Sequence, residues 1–192
     1  MRNVNQWAKV GQILFICFCV ALVYSIQPYR LFYNYTESVI QGIFISDTRP
    51  TNIKKGDFVI FVYPEPIWAR GRYISAINKI DYFFKQVKGE AGDLLTVNDK
   101  KQVLLCVKGN KANCYILETL SYKDSVGRIM YPIEWKDYTI PYGYVYVGTD
   151  YKKSLSSSYY GLIAVNKMIA KTYPLYTWHA KFTPVAKSMI PD

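Results

Sequence analysis

The chain reads as mainly β with one N-terminal transmembrane helix, on three observations. Its 19 tyrosines weigh toward strands, because a flat ring packs on a pleated, half-covered surface while its hydroxyl still reaches water. After Pro28 the apolar residues come in short runs broken by Gly, Pro, Asn and Asp, with little helical spacing. Before Pro28 lies one long uncharged run, Val10 to Ile26, led by Arg2 and Lys9. No repeat, low-complexity linker or second boundary interrupts the remainder. The expected organisation is a cytoplasmic tip and anchor over residues 1–27, then one extracytoplasmic β-rich domain over 28–192.

Taken in order, the apolar run reaches roughly 25 Å at about 1.5 Å per residue, enough for a bilayer core with Trp7 and Tyr29 at the interfaces. Positive charge ahead of it holds the N-terminus in the cytoplasm. The alternative is a cleaved signal peptide, for which Val23-Tyr24-Ser25 is a poor cleavage site. Gln27-Pro28 stops the helix. Asp57 to Tyr63 predicts a buried strand entered through Lys55-Gly56. Pro64-Glu65-Pro66 and Trp68 then form a projecting loop with an aromatic edge. One helical turn is expected near Ser75 to Ile80. Leu94 to Val97 and Gln102 to Val107 predict a hairpin around Asn98 to Lys101, and Tyr144 to Val147 and Gly161 to Val165 two more strands.

Composition excludes several chemistries. The net charge of +10 comes without a zinc-finger, RNP or helix-turn-helix pattern, so anionic lipid headgroups rather than nucleic acid are the expected partner. The one histidine, His179, expected to cap the last strand region, leaves a Ser/His/Asp triad, an HExxH zinc site or a Cys/His dyad without support. Of four cysteines, Cys17 and Cys19 fall in the apolar run. Cys106 and Cys114 frame a polar, Gly-containing loop and are expected to form a disulfide contributing about 2 to 3 kcal/mol. No CxxC spacing exists, and no metal or cofactor is expected.

The chemistry centres on Phe84-Lys85-Gln86-Val87-Lys88-Gly89-Glu90-Ala91-Gly92-Asp93. A lysine drawn into an apolar wall loses solvation, its pKa falls, and the free amine can act as a base. Ser38, in Thr36-Glu37-Ser38-Val39-Ile40-Gln41-Gly42, is the candidate nucleophile that such an amine could activate without histidine. The order continues through Pro141 to Gly148 and Ser154 to Gly161.

This ordered series resembles the serine/lysine signal peptidase family over roughly residues 30 to 178. Ala69-Arg70-Gly71-Arg72-Tyr73 and Pro174-Leu175-Tyr176-Thr177-Trp178 are similar to its conjugative-transfer, TraF-type branch. The resemblance implies a signal-peptidase-like coiled β-sheet with Ser38 as nucleophile and Lys85 as general base. It also implies Thr36 as an oxyanion-supporting hydroxyl beside the Ser38 amide, and Ser154 as the hydroxyl that orients the amine. Ser156 and Ser158 stand where the family carries an Asp/Arg pair, and Ile40 and Ala91 where it carries prolines. The implied activity is cleavage of an exported precursor, a conjugative pilin, after small residues, with or without ring closure of the product. The implied setting is the bacterial inner membrane, single-pass, with the catalytic domain in the periplasm. A general type I signal peptidase and an inactive membrane-anchored assembly scaffold remain as alternatives. Ser188-Met189-Ile190-Pro191 matches a signal peptidase string but follows the lysine box and is set aside. So is the Asn34-Tyr35-Thr36 sequon.

Overall fold

Two antiparallel sheets and a leading helix make up the computed structural model, which describes residues 2–36, 39–72, 82–150 and 154–178, with residues 2–6, 23 and 26 through their backbone alone. The expected turn near Ser75 to Ile80, His179 and Ser188 to Pro191 lie outside the described residues. The uncharged run forms α1 (Arg2–Ile26). Among the described residues no helix is long and apolar enough to cross a membrane. Pro28 follows the helix, and the Arg30 guanidinium donates to the carbonyls of Tyr24 (2.9 Å), Ser25 (3.2 Å) and Gln27 (2.5 Å). A cation thus satisfies acceptors that the helix end leaves open.

The strands are β1 (Tyr29–Asn34), β2 (Gln41–Asp47), β3 (Phe58–Val62), β4 (Tyr82–Gly89), β5 (Leu94–Val97), β6 (Gln102–Cys106), β7 (Cys114–Thr119), β8 (Tyr138–Thr139), β9 (Tyr144–Gly148), β10 (Ile163–Ala164) and β11 (Met168–Trp178), with the one-turn helix α2 (Ser157–Tyr160) between β9 and β10. The larger sheet runs β1-β2-β11-β3-β4-β9-β10 and the smaller β7-β6-β5-β8. The mainly β expectation holds. The predicted strand at Gly161 to Val165 contracts to two residues paired with Tyr144 and Val145. Gly161 has φ +90° as it leaves α2, and Val165 already turns into a 3-10 turn, its N–H donating to Gly143 O. Six strands went unpredicted: β1, β2, β4, β7, β8 and β11. Pro174 obscured β11 by breaking the strand pattern. It sits where the β2–β11 register shifts, a place where a missing N–H is tolerated. In the loop after β3, Ile67 projects at 87% exposure, while Trp68 lies half-buried with its ring centroid 6.3 Å from that of Tyr131.

Three apolar clusters hold this arrangement. Val59, Phe61, Val87, Val145, Val147, Ile163 and Met168 line the larger sheet. Tyr146 from β9 packs with Leu95, Val103, Leu105 and Ile140, tying the two sheets together. Phe44, Phe58, Phe84 and Val39 form the third, with Phe32 edge-on to Phe84 at 5.0 Å. Gly89 closes β4 against the second cluster. A Cβ there would meet Leu105 Cδ1 at 2.5 Å, Ile140 Cδ1 at 2.9 Å and Tyr146 Cβ at 3.2 Å. Gly89→Ala is therefore expected to cost about 1 to 3 kcal/mol by overpacking. An unchanged urea midpoint by circular dichroism would show that the cluster has slack to give.

Candidate active site

Lys85 lies on β4 opposite Val59 of β3. Its neighbour Phe84 enters the aromatic cluster, while the lysine side chain, 4% exposed, lines a cavity of about 770 Å³ shared with Thr36, Phe83, Ser154, Leu155 and Tyr159. Its Nζ stands 5.3 Å from the Phe83 ring centroid and donates to Ser154 Oγ. Burial pulls the amine down to about 8 from an ordinary 10.5, and the charge of Glu118 holds it partly back up. By that value about a tenth of the lysine is neutral at pH 7, which a general base requires.

The segment carrying Ser154 is fixed by serines. Ser156 caps α2, its Oγ accepting from Ser158 N at 3.1 Å. Ser157 Oγ accepts from Val147 N at 2.9 Å, and Ser158 Oγ lies 2.7 Å from Tyr146 OH. Both the Ser156 hydroxyl and Tyr146 OH donate to Glu118 Oε1. The Asp/Arg positions of the sequence resemblance are thus occupied by small hydroxyls that bond to backbone and to Tyr146.

Thr36, Lys85 and Ser154 come together on one cavity. Ser38 lies outside the described residues. The chain on either side of it is described: Thr36 lines the cavity, and Val39 packs in the cluster of Phe84, next to the lysine. Asn34, set aside as a sequon, proves to organise this connection. It is 3% exposed, so the folded chain does not present it for glycosylation. Its amide donates to the carbonyls of Thr36 (3.2 Å), Val39 (3.3 Å) and Ile40 (2.9 Å), and its Oδ1 accepts from the Thr36 N–H (3.2 Å) and hydroxyl (2.7 Å). Asn34→Ala removes these five hydrogen bonds at once. The expected result is a loss of about 2 to 3 kcal/mol in thermal unfolding and at least a tenfold slower turnover. A variant matching the parent in both would show that the connection holds its shape unaided.

Asp93 does similar work at the far end of the lysine stretch. Buried to 2% exposure, it meets Lys55 Nζ at 2.7 Å and accepts from Glu90 N at 3.1 Å and Lys108 N at 3.0 Å. The last of these joins it to the loop that the Cys106–Cys114 disulfide, present as expected, closes. Lys88, also buried, reaches Asp150 at 2.8 Å. Sequence reasoning missed Asn34 and Glu118. Neither belongs to a run that marks it, and the partners of Glu118 lie far along the chain. Among the described residues no three His, Cys, Asp or Glu side chains gather to hold a metal.

The family described as "Signal peptidase, peptidase S26" matches residues 4–178. A signal peptidase I from Enterococcus faecalis V583, solved by crystallography, is similar at 14% identity and a TM-score of 0.36, over 63% of this chain and 97% of that one. No curated protein sequence matches.

Proposed function

Because the chain belongs to the signal peptidase family, peptidase S26, and is a serine endopeptidase of that type, we propose that Ser38 is its nucleophile and Lys85 its general base. The observation that carries this is the buried Lys85 amine, lowered to about 8 and bonded to Ser154, on a cavity that the Ser38 connection also borders. Neutral Lys85 takes the Ser38 hydroxyl proton as the oxygen attacks the scissile carbonyl, and the resulting ammonium returns it to the leaving amine. The Ser38 amide receives the developing oxyanion. The Thr36 hydroxyl, engaged by Asn34, supports that oxyanion by rotating away from Oδ1. Water, or the amine of the substrate's other end, then takes the acyl group.

In this reading residues 1–27 anchor the chain in the bacterial inner membrane and residues 28–192 work in the periplasm. It is supported by the charge bias of Arg2 and Lys9 around the apolar run and by the net positive charge facing anionic headgroups. The substrate is an exported precursor, a conjugative pilin. This follows from the TraF-like strings at Ala69 to Tyr73 and Pro174 to Trp178.

The test is the mass of the pilin exported by cells with and without this chain. Uncleaved precursor is expected to accumulate without it, and ring closure would show as a product lighter than the linear one by one water. Mature pilin in its absence would overturn the assignment. Within the same assay Ser154→Ala is expected to slow processing about tenfold rather than stop it, because that hydroxyl orients the amine without reacting. A complete loss would mean that Ser154 takes part in the proton transfer itself.

A further inference from the structure

We infer that Glu118 is a positioning residue of this site: from β7 in the smaller sheet it anchors the turn that carries Ser154 and holds a negative charge toward the Lys85 amine. The inference rests on Lys85 being the base. Glu118 lies half-buried in a strand whose neighbours face the core between the sheets. Its Oε1 accepts from Ser156 Oγ, two residues from Ser154, and from Tyr146 OH on β9. With its own hydrogen given to Glu118, Tyr146 OH accepts from Ser158 Oγ at 2.7 Å. One carboxylate thus binds the start of α2 to β9 and both to the second sheet. A buried hydroxyl deprived of its acceptor costs the desolvation it can no longer recover, so removing the carboxylate frees two groups together.

The charge acts separately from the hydrogen bonds. Glu118 is the charge that raises Lys85 against its burial. Tyr146 and Tyr160 also face Glu118; burial first, and then the Glu118 charge, push both upward, so neither contributes charge. Tyr33, Tyr35, Tyr82, Lys123, Asp124 and Tyr159 line the same cavity, with Asp124 in an ion pair with Arg128 at 2.6 Å. Glu118 therefore tunes how much base is present at a given pH, while desolvation sets the overall range.

The sign of the pH response separates tuning from mere structure. Losing only the charge makes the amine easier to deprotonate, whereas loosening the site admits water and returns it toward its ordinary range. The experiment is competitive acetylation of the full chain in detergent with acetic anhydride across pH, reading the Lys85 peptide by mass spectrometry. The parent midpoint is expected at about 8. Glu118→Gln is expected to label Lys85 about threefold faster at pH 7, with a lower midpoint. A folded Glu118→Gln whose midpoint stays or rises overturns the inference. If that variant does not fold, Glu118→Asp, which keeps the charge but draws it back by one methylene, should lower the midpoint in part; no movement again overturns it. A parent midpoint in the ordinary lysine range would remove the general-base reading, and this inference with it. A parent midpoint of about 8 with an unmoved Glu118→Gln removes only the role of Glu118.

Discussion

Ser38→Ala and Lys85→Arg are each expected to abolish precursor processing, a fall of at least about 1000-fold, while leaving the fold in place. The arginine variant discriminates best. It keeps a cation beside Ser154, but a guanidinium does not give up its proton in a protein and cannot accept one from serine. With Lys85 as the base, processing by the parent should also climb with pH, reach half its maximum near 8 and level off about one unit higher, as the amine deprotonates. Complementation with each variant, with abundance checked by blot, measures the first effect. Normal maturation by Lys85→Arg at normal abundance would remove the base from Lys85.

Lys85→Met is expected to do the opposite to the fold, raising stability by about 3 kcal/mol near neutral pH. The folded amine deprotonates at about 8 and the unfolded one at 10.5. Below about 8 both states carry the proton and the folded chain bears the full cost of burying a charge. The cost shrinks as pH climbs from 8 and vanishes above 10.5. The gain from methionine should follow the same course, large at pH 7 and small at pH 10.5. Urea unfolding of parent and variant in detergent at the two pH values reads it. A gain equal at both would mean that better packing, and not relief of a buried charge, stabilises the variant.

What the sequence made legible is what short windows encode. The uncharged run, the strand after Lys55-Gly56, the hairpin of β5 and β6, β9 and the Cys106–Cys114 pair are local patterns, and each is present. Lys85 and Ser154 were legible as a pair only through the ordered boxes, because the bond between them spans 69 residues. Glu118 was not, since a lone glutamate among Tyr, Ile and Leu reads as the solvated face of a strand. Its partner Ser156 is 38 residues away. Asn34 was hidden by its own neighbours, which spell a modification signal, although the buried amide serves the backbone next to it. β11 was obscured because Pro174 and Lys171 interrupt a strand whose reason for existing is the pair of strands that flank it.

If Ser38 and Lys85 form the dyad proposed above, that strand governs when the two can come together. β1 and β2 pair with each other and flank the connection in which Ser38 falls, and β3 and β4 pair and carry Lys85, yet the two pairs do not touch along their edges. β11, the last strand described, lies between β2 and β3 and supplies both with hydrogen-bonding partners. In chain order, the strands that flank the proposed nucleophile and carry the proposed base come well before the strand that joins them. Until it arrives, each half is a separate ribbon with an unpaired edge, of marginal stability by itself. A chain in which β11 has not yet paired therefore holds the proposed nucleophile and base apart. Under the Ser38 and Lys85 assignment, proteolytic power therefore requires β11 to have emerged and paired with both β2 and β3.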